Sequence, residues 1–230
     1  MKPKIGRTQR ANAGLQALYQ KRLDAMVDEM HRSVEYWIKA QWRSNTPIAM
    51  DASAASALRA AIARLTKRWL KNFDEGAANL ADYFATGAMN RSDAQLKQTL
   101  RDAGFSVQFK FTRNMQQAYT AVIGENVALI KSIPEQYLKS VEQTVMQSVA
   151  RGRDLGYLST QLQDTYGVTK RRAALIARDQ NNKASAIMSM TRSLDLGITE
   201  GIWRHSGAGK HPRPEHVKAS GSVFKLAKGM

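Results

Sequence analysis

Residues 51–89, DASAASALRAAIARLTKRWLKNFDEGAANLADYFATGAM, decide the fold class of this chain. Leu58, Ile62, Leu65, Trp69, Phe73, Leu80 and Phe84 recur at steps of three, four and seven residues, which puts them on one stripe of an α-helix. Asp51 or Ser53 is suited to cap its start. A stripe this apolar needs a partner, because most helical stability in water comes from burying such a face. The preceding segment supplies one. From Asn12 to about Gln41 the apolar residues Leu15, Leu18, Tyr19, Leu23, Met26, Met30, Val34, Trp37 and Ile38 keep the same spacing. Only Asn45-Thr46-Pro47 breaks the pattern between the two, and long helices joined by a short turn pack antiparallel. The aromatic stripe therefore reads as core rather than as a platform for stacked bases.

Further along, Ser92–Ala103 reads as a short helix ended by Gly104, and the alternation in VQFKF (107–111) reads as a short half-buried strand. Met115 to Ile133 is helical, with Gly124 a weak point, and Pro134 suits the first turn of a following helix that runs to about Arg151. RGRDLGYLS has the look of a glycine-bearing turn. Ser159–Tyr166 makes a helix closing at Gly167, and Thr169 is placed to cap the next one, with Leu175, Ile176, Ile187, Met190 and Leu194 as its buried side and Gly197 as its end. ITEGIWRHS and GSVFKL then read as short strands flanking a loop. The expected fold is mainly α, built of long amphipathic helices, with a small α+β C-terminal module; residues 1–165 form the helical domain and 166–230 the module.

Thirty-five lysines and arginines oppose 19 acidic residues, for a net charge of +16 and a pI near 10.2. Such a balance implies a polyanionic partner or acidic neighbours in an assembly. The last third is the most charge-dense: residues 151–230 hold 14 basic and 6 acidic residues, against 21 and 13 in the first 150. With no cysteine, disulfides, thiolate zinc sites and thiol nucleophiles are excluded, which suits a reducing compartment. No apolar run approaches the roughly 20 residues of a membrane span, and the basic start MKPKIGRTQR is not followed by the apolar core of a secretory signal. A soluble protein with no membrane partner is expected.

IWRHSGAGKHPRPEHVKASGSVF (202–224) gathers His205, His211 and His216, with Glu215 the one carboxylate nearby. Three histidines and a water can hold zinc, but steps of six and five residues do not share a helix or strand face, and Pro212 and Pro214 stiffen the chain between them. Ser206 and Ser220 lack the surroundings of a nucleophile elbow, and no phosphate-cradling loop is present. The expectation is no enzyme, no catalytic residue, no metal and no cofactor; the loop reads as a recognition element.

Residues 168–226 carry an ordered set: an "IAR" helix containing Arg178 and, further on, Asn182, then Gly197, a short strand ending in Trp203, Arg213 ahead of His216, Gly221 and the aromatic Phe224. This set resembles the C-terminal module of the Mu-like phage head-morphogenesis proteins, also called minor head or minor capsid proteins. The chain departs from that pattern in having Asp179 after the "IAR" triplet, where threonine is usual, and in reaching Met230 without the cysteine-bearing segment of many members. It is therefore expected to be a shortened or truncated member, which weakens the argument from absent cysteines.

The resemblance implies a protein of the virion head, made in the bacterial host cytoplasm, that aids procapsid assembly and DNA packaging or ejection. Its partners would be the portal protein, the major capsid or scaffolding protein, and DNA bound without sequence preference. It also implies roles for residues. Trp203 and Phe224 would form a small apolar clamp, with Trp203 buried, and Gly221 would allow a positive-φ turn. Arg178, Asn182, Lys210, Arg213 and His216 would bind DNA or a protein partner, Arg213 and His216 reaching either Asp179 or Asn182 or an external phosphate. The alternative from charge alone is a free-standing, sequence-independent nucleic-acid-binding protein; a metal-assisted hydrolase built on the histidine loop is weaker.

Overall fold

The computed structural model describes residues 6–44, 52–151, 154–205 and 213–228. Four long helices make up most of it: α1 (Ala13–Ser44), α2 (Ala52–Asp102), α3 (Arg113–Ala150) and α4 (Leu155–Asp195). A small end follows, comprising β1 (Glu200–Ile202), α5 (Pro214–Lys218), β2 (Val223–Lys225) and a 3₁₀ turn at Leu226–Lys228. The fold is mainly α with a small α+β terminus, as the sequence implied.

Local chemistry sets the helix ends. Gly104 has φ 90° and donates to the Arg101 carbonyl at 2.9 Å while Phe105 N reaches Leu100 O at 2.9 Å. Gly197, at φ 78°, repeats this with Leu194, as Ile198 does with Ser193. Both are Schellman caps, which need a residue comfortable in the left-handed region. At helix starts, Thr112 Oγ1 accepts from Met115 N at 3.1 Å and Asp154 Oδ1 from Tyr157 N at 2.9 Å, each capping the third amide of its helix. Asp51, a candidate cap of α2, lies outside the described residues.

Several expected boundaries are absent. The expected Ser92–Ala103 helix is the last part of α2, which runs on to Asp102, not a separate helix. Pro134 lies inside α3, where its neighbours Ile130, Ile133, Tyr137 and Leu138 are all buried; their packing outweighs the missing proline N–H. Gly167 is interior to α4, and Thr169 donates back to the Thr165 carbonyl instead of capping anything. VQFKF forms no strand. Among the described residues it has no partner strand, and Lys110 offers its carbonyl to the Arg192 guanidinium, which also lies 5.1 Å from the Phe109 ring.

The chain divides into two compact units, with α2, α3 and α4 contributing to both. One comprises Ala13–Ala85 and Val122–Asn181. Its contacts give the helix directions. Trp69 Nε1 donates to Ser33 Oγ at 3.3 Å, Tyr19 stacks on Phe84 at 4.3 Å, and Arg22 lies 3.7 Å from the Tyr83 ring, so α1 and α2 run antiparallel. Tyr19 to Asn126 and His31 to Tyr137 make α3 parallel to α1, while Asp28 to Lys170 and His31 to Gln163 make α4 antiparallel to it. The result is an up-down-up-down four-helix arrangement. All seven apolar residues of the α2 stripe are buried. On α1, Leu18 and Trp37 are exposed instead, and Val27, His31 and Trp42 complete a buried line that advances four residues at a time with one three-residue step. On α4, Leu175 and Leu194 are exposed, while Ala173, Ile176, Ala177, Gln180, Asn181, Ala184, Met188 and Arg192 face inward.

Two buried polar groups interrupt this core. Tyr19 Oη donates to Asn126 Oδ1 at 2.9 Å, Asn126 Nδ2 donates to Val122 O and Gln180 Oε1, and Gln180 Nε2 donates to Glu125 at 2.9 Å. Burial raises the Tyr19 phenol well above its ordinary value, so it stays a neutral donor. The second group centres on His31, with Nδ1 2.8 Å from Tyr137 Oη, Nε2 3.2 Å from Gln163 Nε2, and the ring stacked on Tyr166 at 4.2 Å. Glu35, Asp28 and Lys39 are the charged groups that act on it, all from α1. Burial holds the imidazole below its ordinary 6.5, although Glu35 and Asp28 oppose the shift.

The unfolded chain therefore takes up this proton more readily than the native one. The neutral histidine's contribution is full above pH 6.5 and is lost as pH falls from 6.5 toward the folded-state value. Urea midpoints are expected to fall between pH 8 and pH 5, and His31→Gln is expected to remove the part of that slope centred below 6.5. An unchanged slope in the variant would assign the acid sensitivity to other groups.

The second unit comprises Met1–Asn12, Thr86–Ala121 and Asn182–Met230. Its buried apolar side chains, Ala88, Leu96, Met115 and Met188 among them, are fewer and smaller. Polar ties supplement them: Gln9 Nε2 donates to Thr99 Oγ1 at 3.1 Å, and the Arg7 guanidinium pairs with Asp102 at 2.8 Å.

Candidate functional site

The C-terminal module is a β1–β2 ribbon with α5 between its strands. The strands are antiparallel, pairing Glu200 with Lys225, Gly201 with Phe224 and Ile202 with Val223. Leu226 N to Thr199 O and Trp203 N to Ser222 O, both 2.9 Å, prolong the ladder at either end. Gly221 turns the chain into β2 at φ 98°. Gly201 fits closely for a different reason: a Cβ there would stand 3.1 Å from the Phe224 ring, which would have to give by a few tenths of an ångström. Arg213 holds the extended backbone expected before a proline, and Pro214 opens α5.

The aromatic clamp is built differently from the one expected. Trp203 is half-buried, not buried; its ring meets His216 edge-on at 5.8 Å, and its Nε1 donates to the His216 carbonyl at 3.3 Å. Phe224, also half-buried, covers Gly201. A ribbon only two strands wide has too little depth to enclose an indole. Trp203→Ala is accordingly expected to cost about 1–2 kcal/mol, roughly half the value of full burial, and to loosen α5. Thermal melting with amide exchange of residues 213–225 would measure both, and a loss above about 3 kcal/mol would mean that Trp203 is a core residue.

Arg178 and Asn182 are exposed, one turn apart on α4. Arg213 and His216 are exposed on and just before α5, while Lys210 and His211 lie outside the described residues. Besides Arg213 the module exposes Arg204, Lys218, Lys225 and Lys228 against Glu200 and Glu215, so its surface suits phosphates or carboxylates. Among the described residues, no group of three histidine, aspartate or glutamate side chains converges as metal ligands would. None of their helices is long and apolar enough to cross a membrane.

Sequence periodicity missed the residues that organise this unit. Arg192, only 4% exposed, forms a two-pronged pair with Asp93 of α2, Nε to Oδ1 at 2.7 Å and Nη2 to Oδ2 at 2.9 Å. Its remaining nitrogen takes the Lys110 carbonyl. Three residues on, Asp195 accepts hydrogen bonds from Thr112 Oγ1 and from Asn114 Nδ2 at 2.8 Å. The end of α4 thus anchors the segment leading into α3. A basic residue among apolar ones signals a solvated position in a periodicity argument; only its carboxylate partner, 99 residues away, reveals otherwise.

The end of α3, all of α4 and the β1–α5–β2 ribbon form one continuous stretch of sequence. Residues 139–229 match the family model of Phage Mu protein F like protein. The resemblance carried by Arg178, Asn182, Gly197, Trp203, Arg213, His216, Gly221 and Phe224 is thereby borne out, and the match begins well before residue 168, inside α3. A protein of Haemophilus influenzae, described as an uncharacterized protein, is 29% identical over 217 residues, covering 91% of this chain. The chain spans about half of that relative, 47% of its length. No solved structure matches the chain.

Proposed function

We propose that this protein is a phage or prophage minor head protein that acts in procapsid assembly and in DNA packaging or ejection. The observation that carries the reading is the Mu F-like match over residues 139–229. The partners it implies are the portal protein, the major capsid or scaffolding protein, and DNA held without sequence preference; the location is the virion head, reached from the host cytoplasm during assembly. The helical residues 1–165 serve as the portal or capsid contact, and the module of residues 166–230 carries Arg178, Asn182, Lys210, Arg213 and His216 as its binding residues. The role is one of assembly rather than catalysis. Exposed cations on the ribbon and the net charge of +16 support contact with packaged DNA or acidic partner surfaces.

The test is co-purification of the tagged protein with the portal and capsid proteins encoded beside it, at low and high salt with nuclease added. Portal retained after both treatments supports the assembly role. Loss of every partner on nuclease treatment, with recovery of mixed-sequence DNA, overturns it in favour of the second reading, a free-standing nucleic-acid-binding protein, which the charge alone motivates.

A further inference from the structure

The first half of α2 carries Arg59, Arg64, Lys67, Arg68 and Lys71 and no acidic residue between Ala52 and Phe73. Arg64, Lys67, Arg68 and Lys71 follow the steps of one helix face, and all four are exposed. Lys71 meets Glu75 at 3.6 Å, an exposed pair that leaves the stripe strongly positive. Buried Leu58, Ile62, Leu65, Trp69 and Phe73 hold the opposite face of the same helix in the core, which makes the stripe a rigid one.

Beside it on α1 stand two aromatic side chains that the core does not use. Tyr36 is 67% exposed and Trp37 51% exposed, and their rings meet edge-on at 5.3 Å. The α1–α2 register places them. Trp69 bonds Ser33, and a Cβ on Gly76 would lie 3.5 Å from Met26, so each turn forward on α1 is a turn back on α2. Trp37, one turn beyond Ser33, falls level with Leu65, between the turns that carry Arg64 and Arg68. The Arg68 guanidinium lies 5.7 Å from the Trp69 ring, whose indole nitrogen points at α1. Cations and open aromatic rings are therefore level with one another along the α1–α2 pair.

We infer that this face is a binding site for single-stranded nucleic acid, with Arg64, Lys67, Arg68 and Lys71 along the phosphates and Trp37 and Tyr36 stacking on bases. Charge selects a polyanion, and exposed rings beside the cations select one whose bases are unstacked and accessible, which a duplex does not offer. The four cations of the stripe span about 10 Å of helix, enough for a short run of nucleotides. The inference goes beyond the proposed function and does not rest on it.

The experiment is fluorescence anisotropy of labelled oligo-dT and of a duplex of equal length with the full chain, between 50 and 200 mM salt. Oligo-dT is expected to bind more tightly than the duplex and to weaken about 50-fold over that salt range, as four neutralised phosphates on a single strand predict. Arg64→Glu with Arg68→Glu is expected to reduce oligo-dT binding more than tenfold and to flatten the salt dependence. Trp37→Ala is expected to reduce it about tenfold, through lost stacking, with duplex binding unchanged. Unchanged circular dichroism melting of the variants would separate binding from folding.

Equal binding of both forms with no effect of Trp37→Ala overturns the inference. So does binding that survives the α2 reversals and disappears in Arg213→Glu with Lys218→Glu, which moves the contact to the ribbon. Loss of portal capture from nuclease-treated extract by the α2 variants, with oligo-dT binding intact, would make this a protein-docking face and also overturns it. Failure of the wild-type chain to capture portal, with oligo-dT binding as expected, overturns the assembly role and leaves this site standing.

Discussion

Arg192→Ala is expected to lower the unfolding free energy by about 3–5 kcal/mol, the usual cost of breaking a buried ion pair from one side. The side chain is almost wholly buried, both its Nε and Nη2 donate to Asp93, and a third nitrogen holds the Lys110 carbonyl. Truncation strands the Asp93 carboxylate and frees the segment that leads into α3. Urea denaturation measures the loss. The informative comparison is Arg192→Met with Asp93→Leu, which removes both charges and is expected to recover most of the stability. A single-variant loss below about 1 kcal/mol would mean that water reaches the pair and that the anchoring role is wrong.

Asn126→Ala is the second large effect, about 2–6 kcal/mol, because two buried polar groups lose a partner at roughly 1–3 kcal/mol each. Asn126 is fully buried and joins Tyr19 of α1 to Gln180 of α4. Adding Tyr19→Phe removes one stranded hydroxyl, so the double variant is expected to cost less than the two single losses combined. Strict additivity in denaturant titrations would show that Tyr19 and Asn126 do not act as one network.

Much of the fold was legible in the residues. The α2 stripe from Leu58 to Phe84 is buried throughout, Gly104 and Gly197 end helices with positive φ, and the strands around residues 200–202 and 223–225 pair. These features are local: periodicity, a capping glycine and a short alternating run each carry their own physical reason. The errors share an opposite cause. Pro134, Gly167 and the stretch before Ser92 carry ordinary breaking signals, each worth a few kcal/mol at most, and packing of the surrounding helix outweighs them. VQFKF had the alternation of a strand and, among the described residues, no strand to pair with. Leu18, Trp37, Leu175 and Leu194 were assigned to the core and are exposed, because the true buried lines on α1 and α4 include His31, Gln180, Asn181 and Arg192, which a count of apolar residues passes over.

The candidate site divides in the same way. The order of Arg178, Asn182, Trp203, Arg213, His216 and Phe224 along the chain was enough to suggest the Mu F-like match at residues 139–229. That Trp203 leans on His216, and that Arg192 and Asp195 secure the unit, depends on partners distant in sequence. By itself, then, the sequence determined the helical class, the helix-ending glycines, the ribbon at the C-terminus and the basic character, since each arises from residues within a few positions of one another or from a simple count. Only the tertiary structure decided which breaks are overridden, which aromatic rings stay open to solvent and which charges are buried. Those outcomes depend on pairings across roughly 100 residues, such as Arg192 with Asp93 and Tyr19 with Asn126, where desolvation is met by a partner that no local pattern announces.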